Sequence, residues 1–399
     1  MQFVNFEKGC APEGLTIAEV DAPVLTDDKV LVQVHAFGVN RADTLQRQGH
    51  YPPPPGESEI LGLEVAGKVI EVGATVSEWK VDDKVFGLVA GGGYAQQVAV
   101  NPHHLMRVPE NMAYSTAAGL AEVFLTAFQC LRLISNVKPA ERVLIHGGAS
   151  GVGLAATQLC HYWGVESAVT ASSQEKLAQC KQNGANLLIN YKDKNFAEEI
   201  KASWPEGVNM VLDMVGGDYL NRNLQILKRD GIVVYLAMLA GRYADNLDMA
   251  LMLGKRARIQ GTTLRNRTDE YKSALISDFS TTCLPAFTSG ELSVNIDTVI
   301  PSRYAQVFRE KEFKAIDEYD NPTDAYWWIV VQATKKKTKK GANYLRLKVM
   351  GANGKQEWMN CWGWNGEDQV APYTVCVGIV SSNHYGKSTK WTKMRIFLG

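Results

Sequence analysis

At 399 residues the chain exceeds the roughly 100–200 residues of an ordinary domain, so two or three compact units are expected. A hydrophobic share of 46% and a charged share of 21% are those of a folded globular protein and exclude a disordered or collagen-like chain. The formal charge of zero hides an asymmetry: from Ser302 onward there are 16 Lys+Arg against 9 Asp+Glu, leaving 26 against 33 in front. A basic tail on an acidic body suits a polyanion or acidic surface at the tail alone, although a solvated lysine face explains the same count.

From Met1 to about Tyr114, short β-rich runs (Val30–Val34, Glu64–Val72, Ala95–Val100) alternate with Gly and Pro punctuation, which reads as a compact β-rich domain. From about Ser115 to Leu264, helical patterns alternate with brief apolar runs at Val143–His146, Ser167–Thr170, Leu187–Ile189, Met210–Asp213 and Ile232–Leu236. That alternation predicts an α/β fold with a parallel sheet covered by helices on both faces. Beyond Pro301 the composition breaks, because six of the nine tryptophans fall in the last 98 residues. Five short strand patterns without a long helix predict a separate small barrel or sandwich there.

The seven cysteines (Cys10, Cys130, Cys160, Cys180, Cys283, Cys361, Cys376) never stand as CxxC, which argues against a disulfide framework or a zinc knuckle. MQFVNFEKG lacks the basic flank and apolar core of a signal peptide, and no run of eighteen apolar residues occurs. A reducing cytoplasm, without membrane contact, is the expected address.

The most informative segment is ERVLIHGGASGVGLAATQLC, a strand running through glycines into an apolar helix. Gly151, Gly153 and Ala156 match the GxGxxA form of the dinucleotide fingerprint, with Gly148, Ser150 and Val152 in the same turn. Glycines allow the tight turn and close approach of a pyrophosphate, whose charge meets the unpaired N–H groups at the helix start. About twenty residues on, an NAD site needs an acid for the ribose 2′-hydroxyl. This sequence offers Ser172, Ser173 and Lys176 instead, with Tyr191 following. Hydroxyls and an ammonium suit a 2′-phosphate, so NADPH is the expected cofactor; an ordinary surface turn is the bland alternative.

GVNRADTLQRQGHYPPPPG and ILGLEVAGKVIEVG, together with GGASGVGLAATQL, resemble the zinc-free quinone oxidoreductase branch of the medium-chain dehydrogenase/reductase superfamily over about residues 1–301. The resemblance implies a GroES-like catalytic domain over 1–118, a Rossmann NADPH-binding domain over 119–265 and a return segment over 266–301. It also implies a homodimer or tetramer, of which a homodimer is expected here. Carried over by position, Asn40 and Asp43 lie beside nicotinamide and quinone, Tyr51 opens a loop lining the cleft, and Thr126 contacts the nicotinamide ribose region. Met238, Leu264 and Arg265 match segments covering the nicotinamide face. Asn40 as a plain helix cap and Tyr51 as a packing residue remain alternatives.

Zinc-dependent relatives of this architecture need a Cys and a His followed by Glu. NRAD holds no cysteine and LGLE puts Leu63 before Glu64, while the adjacent His103 and His104 suit a surface turn better than joint ligation. Without a Lewis acid, hydride from nicotinamide C4 needs an acceptor that is already electron-poor, such as a quinone or activated enone. Tyr51 or water would supply the proton.

The family's usual closing helix and strand are replaced after Pro301. A linker over 302–325 is expected, then a domain over 326–399 that resembles an OB-fold of the kind found in the bacterial replicative DNA polymerase alpha subunit. Lys335, Lys336, Lys337, Lys339 and Lys340 would form a phosphate-tracking loop, with Tyr344, Trp358, Trp362 and Trp364 as stacking faces for single-stranded nucleic acid. Core packing of at least half of these rings is the competing reading.

Overall fold

A computed structural model describes residues 1–245 and 247–299 and, beyond them, strand backbones between 314 and 397 with a few of their side chains. The chain divides into two units, Met1–Asp297 and Thr298–Gly399.

The first unit opens with β1 (Gln2–Asn5), β2 (Thr16–Glu19), β3 (Val30–Phe37), α1 (Arg41–Arg47), β4 (Glu64–Val72), β5 (Lys84–Leu88), β6 (Gln97–Val100) and β7 (Leu105–Arg107). Five of these strands form an antiparallel sheet in the order β6-β3-β4-β5-β7. The valines of β3, β4 and β5 bury one face of it, with Val30, Val32, Val69 and Val85 fully enclosed. Then come α2 (Tyr114–Ala117), α3 (Ala121–Phe128), β8 (Arg142–Ile145), α4 (Gly151–Tyr162), β9 (Glu166–Ala171), α5 (Gln174–Gln182), β10 (Leu187–Asn190), α6 (Phe196–Ser203), β11 (Val208–Asp213), α7 (Tyr219–Ile226), β12 (Leu227–Tyr235), α8 (Met249–Lys255) and β13 (Arg258–Gly261). Their six strands pair in parallel in the order β10-β9-β8-β11-β12-β13, the doubly wound arrangement with its switch point at β8. Val143–Ile145 and Met210–Leu212 are entirely buried, which is why these strands read as continuous apolar runs rather than alternations.

Side chains begin several helices where the sequence supplies a short polar residue: Ser150, Ser173, Asn195, Asp248 and Thr268 each accept from an N–H of the first turn. β12 starts five residues before its predicted start at Ile232. The early part is hidden in sequence by the polar Lys228–Asp230, where Asp230 adopts φ +66° and pairs with Arg256.

The return segment forms α9 (Asp269–Thr282) and α10 (Leu284–Ser289). Phe279 and Phe287 from these helices meet Phe124 and Phe128 of α3, with edge-on pairs at 4.9 and 5.5 Å. Tyr114–Ile134 is long and apolar enough to span a bilayer, but it is largely buried within the fold. His104 corrects the surface-turn reading of the histidine pair: it is 6% exposed, and its ring faces Asp269 at the start of α9. The protein uses it to join the first sheet to the return segment.

In the second unit β14 (Lys314–Ala315), β15 (Ala325–Lys337), β16 (Asn343–Met350), β17 (Gln356–Trp362), β18 (Thr374–Asn383) and β19 (Gly386–Phe397) are described. The order β14-β15-β16-β17-β19-β18, with β18 returning to β15, closes five strands into a ring. β14 pairs with Tyr326–Trp327, so part of the expected linker is strand. Leu347, Val349, Met359 and Cys361 are buried, whereas Trp358 is 42% exposed beneath the Arg346 guanidinium at 4.9 Å; Trp358 is therefore no core residue. Lys336 is also exposed. Lys339, Lys340, Trp364 and the side chains of Lys335, Lys337, Tyr344 and Trp362 lie outside the described residues.

Phe279→Ala should lower stability by about 3–5 kcal/mol, because it empties space that the neighbouring rings cannot refill. Urea unfolding of the full chain should show a lower midpoint for the first unit; an unchanged midpoint would detach α9 from the core.

Candidate active site

The turn after β8 is built by close backbone packing. Gly147 takes φ +66°; a Cβ on Gly148 would lie 2.6 Å from that of Val169, and one on Gly153 would lie 2.4 Å from the Gly147 carbonyl oxygen. Only glycine fits these positions. Ser150 caps α4 by accepting from Gly153 N at 3.0 Å, so Gly151 and Val152 begin the helix with N–H groups that no residue of the helix can satisfy. The Ser150 hydroxyl reaches the Met214 sulfur at 3.6 Å, and Met214 holds the loop of Met238 and Leu239 through Leu239 N. Met238 is 61% exposed.

At the end of β9, Ser172 and Ser173 are half-buried and Lys176 is exposed. Ser173 caps α5 by accepting from Lys176 N at 3.3 Å, and Tyr191 N bonds Ala171 O, setting Tyr191 beside this corner. Hydroxyls and an ammonium gathered one strand away from a glycine cradle and a helix N-terminus suit a nucleotide with an extra phosphate.

On the β-rich side, Asn40 precedes α1. Its N–H donates to Asp43 Oδ2 at 2.8 Å and its Nδ2 to Glu64 Oε1 at 2.8 Å. Asp43 is 2% exposed and accepts also from Gly62 N and the Tyr94 hydroxyl, each at 3.1 Å; burial raises its pKa against these bonds. The geometry gives Asp43 a bracing place rather than an open one. Tyr51 is half-buried, its phenol pushed upward by burial and then by the charge of Glu122. The Arg265 guanidinium stands 5.6 Å over its ring.

Arg265, expected at the nicotinamide face, is 5% exposed. It donates from Nε to Ala90 O at 2.7 Å and from Nη1 to Tyr51 O at 3.5 Å. Leu264 is 4% exposed and Thr126, on α3, 8%. Leu264 and Arg265 share a small cavity of about 10 Å³ with Leu63, His104, Glu122 and Lys272.

Sequence reading missed the carboxyls beneath this site. Glu64, 2% exposed, accepts from Glu122 N at 2.9 Å as well as from Asn40. Burial lifts its pKa to about 7, while burial and then Glu64 lift that of Glu122 to about 8. No local sequence cue announces Glu64; in the fold Gly38 makes room for it, since a Cβ there would fall 2.1 Å from Glu64 Oε1.

The fold and the glycine cradle define an oxidoreductase with a GroES-like lobe on a Rossmann lobe. A profile of the alcohol dehydrogenase GroES-like domain matches residues 26–110 and one of the zinc-binding dehydrogenase type matches 151–280. The quinone oxidoreductases of Homo sapiens and Pongo abelii are 32% and 31% identical over 268 residues, which is 66% of this chain and 80% of each relative. The structure of Escherichia coli quinone oxidoreductase complexed with NADPH superposes with TM-score 0.66 at 27% identity, covering 74% of this chain and 90% of that one. CurK enoyl reductase gives 0.67 at 27% identity over 77% and 96%. The chain belongs to the medium-chain dehydrogenase/reductase superfamily, in the branch of the quinone oxidoreductases.

The zinc of the second profile's description does not fit this donor set. Leu63 precedes Glu64, and the groups on the Glu64 carboxylate are the Asn40 amide and a backbone N–H, both donors rather than metal ligands. Among the described residues no group of three His, Cys, Asp or Glu side chains could hold a metal ion.

Because Glu64 and Glu122 carry protons more tightly when folded, their stabilising effect is complete below about pH 4.5. It is lost as pH rises through about 7 and about 8. Unfolding free energy should fall across this window by up to about 1.4 kcal/mol per pH unit for each group, and Glu122→Gln should flatten the slope in denaturant titrations at pH 5 and 8.

Proposed function

We propose that this chain binds NADPH and reduces a quinone or activated enone by hydride transfer from nicotinamide C4 without a metal ion. The observation that carries this reading is the corner of Ser172, Ser173 and Lys176 beside the Gly148–Gly153 cradle. It offers hydroxyls and a cation where an NAD site needs a carboxylate. Relatives named quinone oxidoreductase and the NADPH complex of the Escherichia coli enzyme support it.

NADPH would supply the hydride. Gly148, Ser150, Gly151, Val152 and Gly153 seat its pyrophosphate; Ser172, Ser173, Lys176 and Tyr191 take the 2′-phosphate and adenosine side. Thr126, Met238, Leu264 and Arg265 close around the nicotinamide end. Asn40 and Tyr51 face the acceptor, with Asp43 holding the Asn40 backbone. A phenol kept protonated by burial is suited to give its proton to the oxygen that gains charge. No Lewis acid polarises the acceptor in this scheme, so the acceptor must itself be electron-poor.

Disappearance of NADPH absorbance on adding a simple quinone or enone, unaffected by chelator, is the expected result. Turnover that stops with chelator and returns with zinc would sink the reading. Lys176→Ala should raise KM for NADPH by roughly tenfold, the value of one charge-assisted contact, and leave that for NADH unchanged. Tyr51→Phe should lower kcat by about a hundredfold if the phenol is the acid; full turnover would assign the proton to water.

A homodimer is the second part of the proposal. β13 ends its sheet with all four residues exposed, and Met249, Leu253 and Ile259 expose 52%, 70% and 39% of their surface. An apolar open edge of this kind suits a second copy. Ile259→Lys should convert dimer to monomer in sedimentation.

For the second unit, exposure of Trp358 with Arg346 stacked on it, together with exposed Lys336, favours the expected single-stranded nucleic-acid reading. A labelled oligonucleotide should bind the full chain in a salt-sensitive manner and lose affinity with Trp358→Ala. Equal binding of the variant would remove this reading.

A further inference from the structure

Glu64 is a buried carboxylate for which no cation partner stands among the described residues. A carboxylate in that setting is costly unless donors surround it. Its donors come from two directions. Asn40 Nδ2 reaches Oε1 at 2.8 Å and the backbone N–H of Glu122 reaches Oε2 at 2.9 Å. The second bond lies in the first turn of α3, whose preceding residue Leu120 provides no side-chain cap, so Glu64 serves as the acceptor for a helix that begins far away in sequence.

Both partners lead to the proposed site. Asn40 is the residue assigned to the acceptor. α3 carries Thr126, and its Val123 lies against Gly151: a Cβ on Gly151 would be 2.9 Å from Val123 Cγ1. A single side chain therefore sets the amide of Asn40 with one oxygen and the start of the helix beside the nucleotide turn with the other. Gly38 is the accommodation for it, since any Cβ there would overlap Glu64 Oε1 and stand 2.7 Å from Ala118 O.

We propose that Glu64 is a positioning residue for hydride transfer, fixing Asn40 relative to α3 and to the nucleotide seated against it. This rests on the reading of Asn40 as an acceptor-side residue. The chemistry calls for a carboxylate, because both facing groups are donors. Glutamine has one acceptor oxygen; the backbone N–H of Glu122 cannot turn, so the glutamine amide would face Asn40 nitrogen to nitrogen. Asn40 must then rotate and present its other end to the acceptor.

The charged and titratable groups around Glu64 are Asp43 from α1, Tyr94, which bonds Asp43, and Glu122 from α3. Arg265 acts on Asp43 and Glu122, and Lys272 on Glu122. Protonation of Glu64, which burial brings to about pH 7, would turn one acceptor oxygen into a donor facing a donor and loosen the same contact.

The test compares wild type, E64Q, N40A and the double variant in the full chain. The readouts are NADPH affinity by fluorescence, kcat with a quinone, and the pH profile of kcat. E64Q should retain NADPH affinity within about twofold while kcat falls by about tenfold or more. The wild-type limb near pH 7 should vanish. The double variant should be no slower than the slower single one, since both changes remove one arrangement.

Unchanged kcat in E64Q, or losses that multiply in the double variant, would overturn the proposal. If E64Q does not fold, N40A alone decides: retention of the wild-type pH limb would also overturn it. A wild-type chain that oxidises NADPH with neither quinone nor enone fails the functional reading instead, and is told apart by that arm alone.

Discussion

Helix α3 begins with N–H groups that the helix cannot satisfy, and the acceptor for the Glu122 N–H is the first residue of β4 in the other lobe. That placement ties α3 to the first sheet through one side chain, alongside the Arg265 and His104 contacts between the same parts of the unit. The tie is directional: the carboxylate has two oxygens, each already given to a donor, so neither Asn40 nor α3 can shift without leaving a buried acceptor short. Gly38 and Gly151 follow from the same constraint. Each lacks a side chain where another residue of this seam must pass, Glu64 in one case and Val123 in the other.

Charge in this region is balanced by dipoles more than by opposite charge. Asp43 is held by two backbone N–H groups and a phenol, Glu64 by an amide and a backbone N–H, and Arg265 by two carbonyl oxygens and the face of Tyr51. Fixed dipoles of this kind need no rearrangement when charge moves nearby, which is the property an active site gains from preorganisation. They also leave Glu64 with a raised pKa, because dipoles only partly offset its loss of water, while at Glu122 the charges of Arg265 and Lys272 oppose burial and the neighbouring carboxylates without cancelling them.

The nucleotide lobe was legible because its cues are local. Apolar runs of three to five residues, Ser before each of two helices and the glycine turn all lie within a few positions of what they determine. The seam was not legible for the opposite reason. Asn40 and Glu64 are 24 residues apart and Glu64 and Glu122 are 58 apart, while Arg265 meets Ala90 across 175. No periodicity carries such a pairing. Family position places Arg265 at the nicotinamide end, but its bonds to the Ala90 and Tyr51 carbonyl oxygens follow from the fold alone. His104 was misread similarly: adjacency of two histidines speaks to metal geometry, but burial against Asp269 depends on α9, which begins 165 residues later.

The backbone beside Tyr51 narrows what the proposed site can offer an acceptor. Pro52, Pro53, Pro54 and Pro55 carry no N–H, so this wall cannot form an oxyanion hole from main-chain donors. Side-chain donors of the proposed site include the phenol of Tyr51 and the amide of Asn40, one of whose N–H bonds is already directed to Glu64. Structures named quinone oxidoreductase and enoyl reductase superpose almost equally well on this chain, at TM-scores of 0.66 and 0.67. The scaffold is therefore common to both kinds of structure.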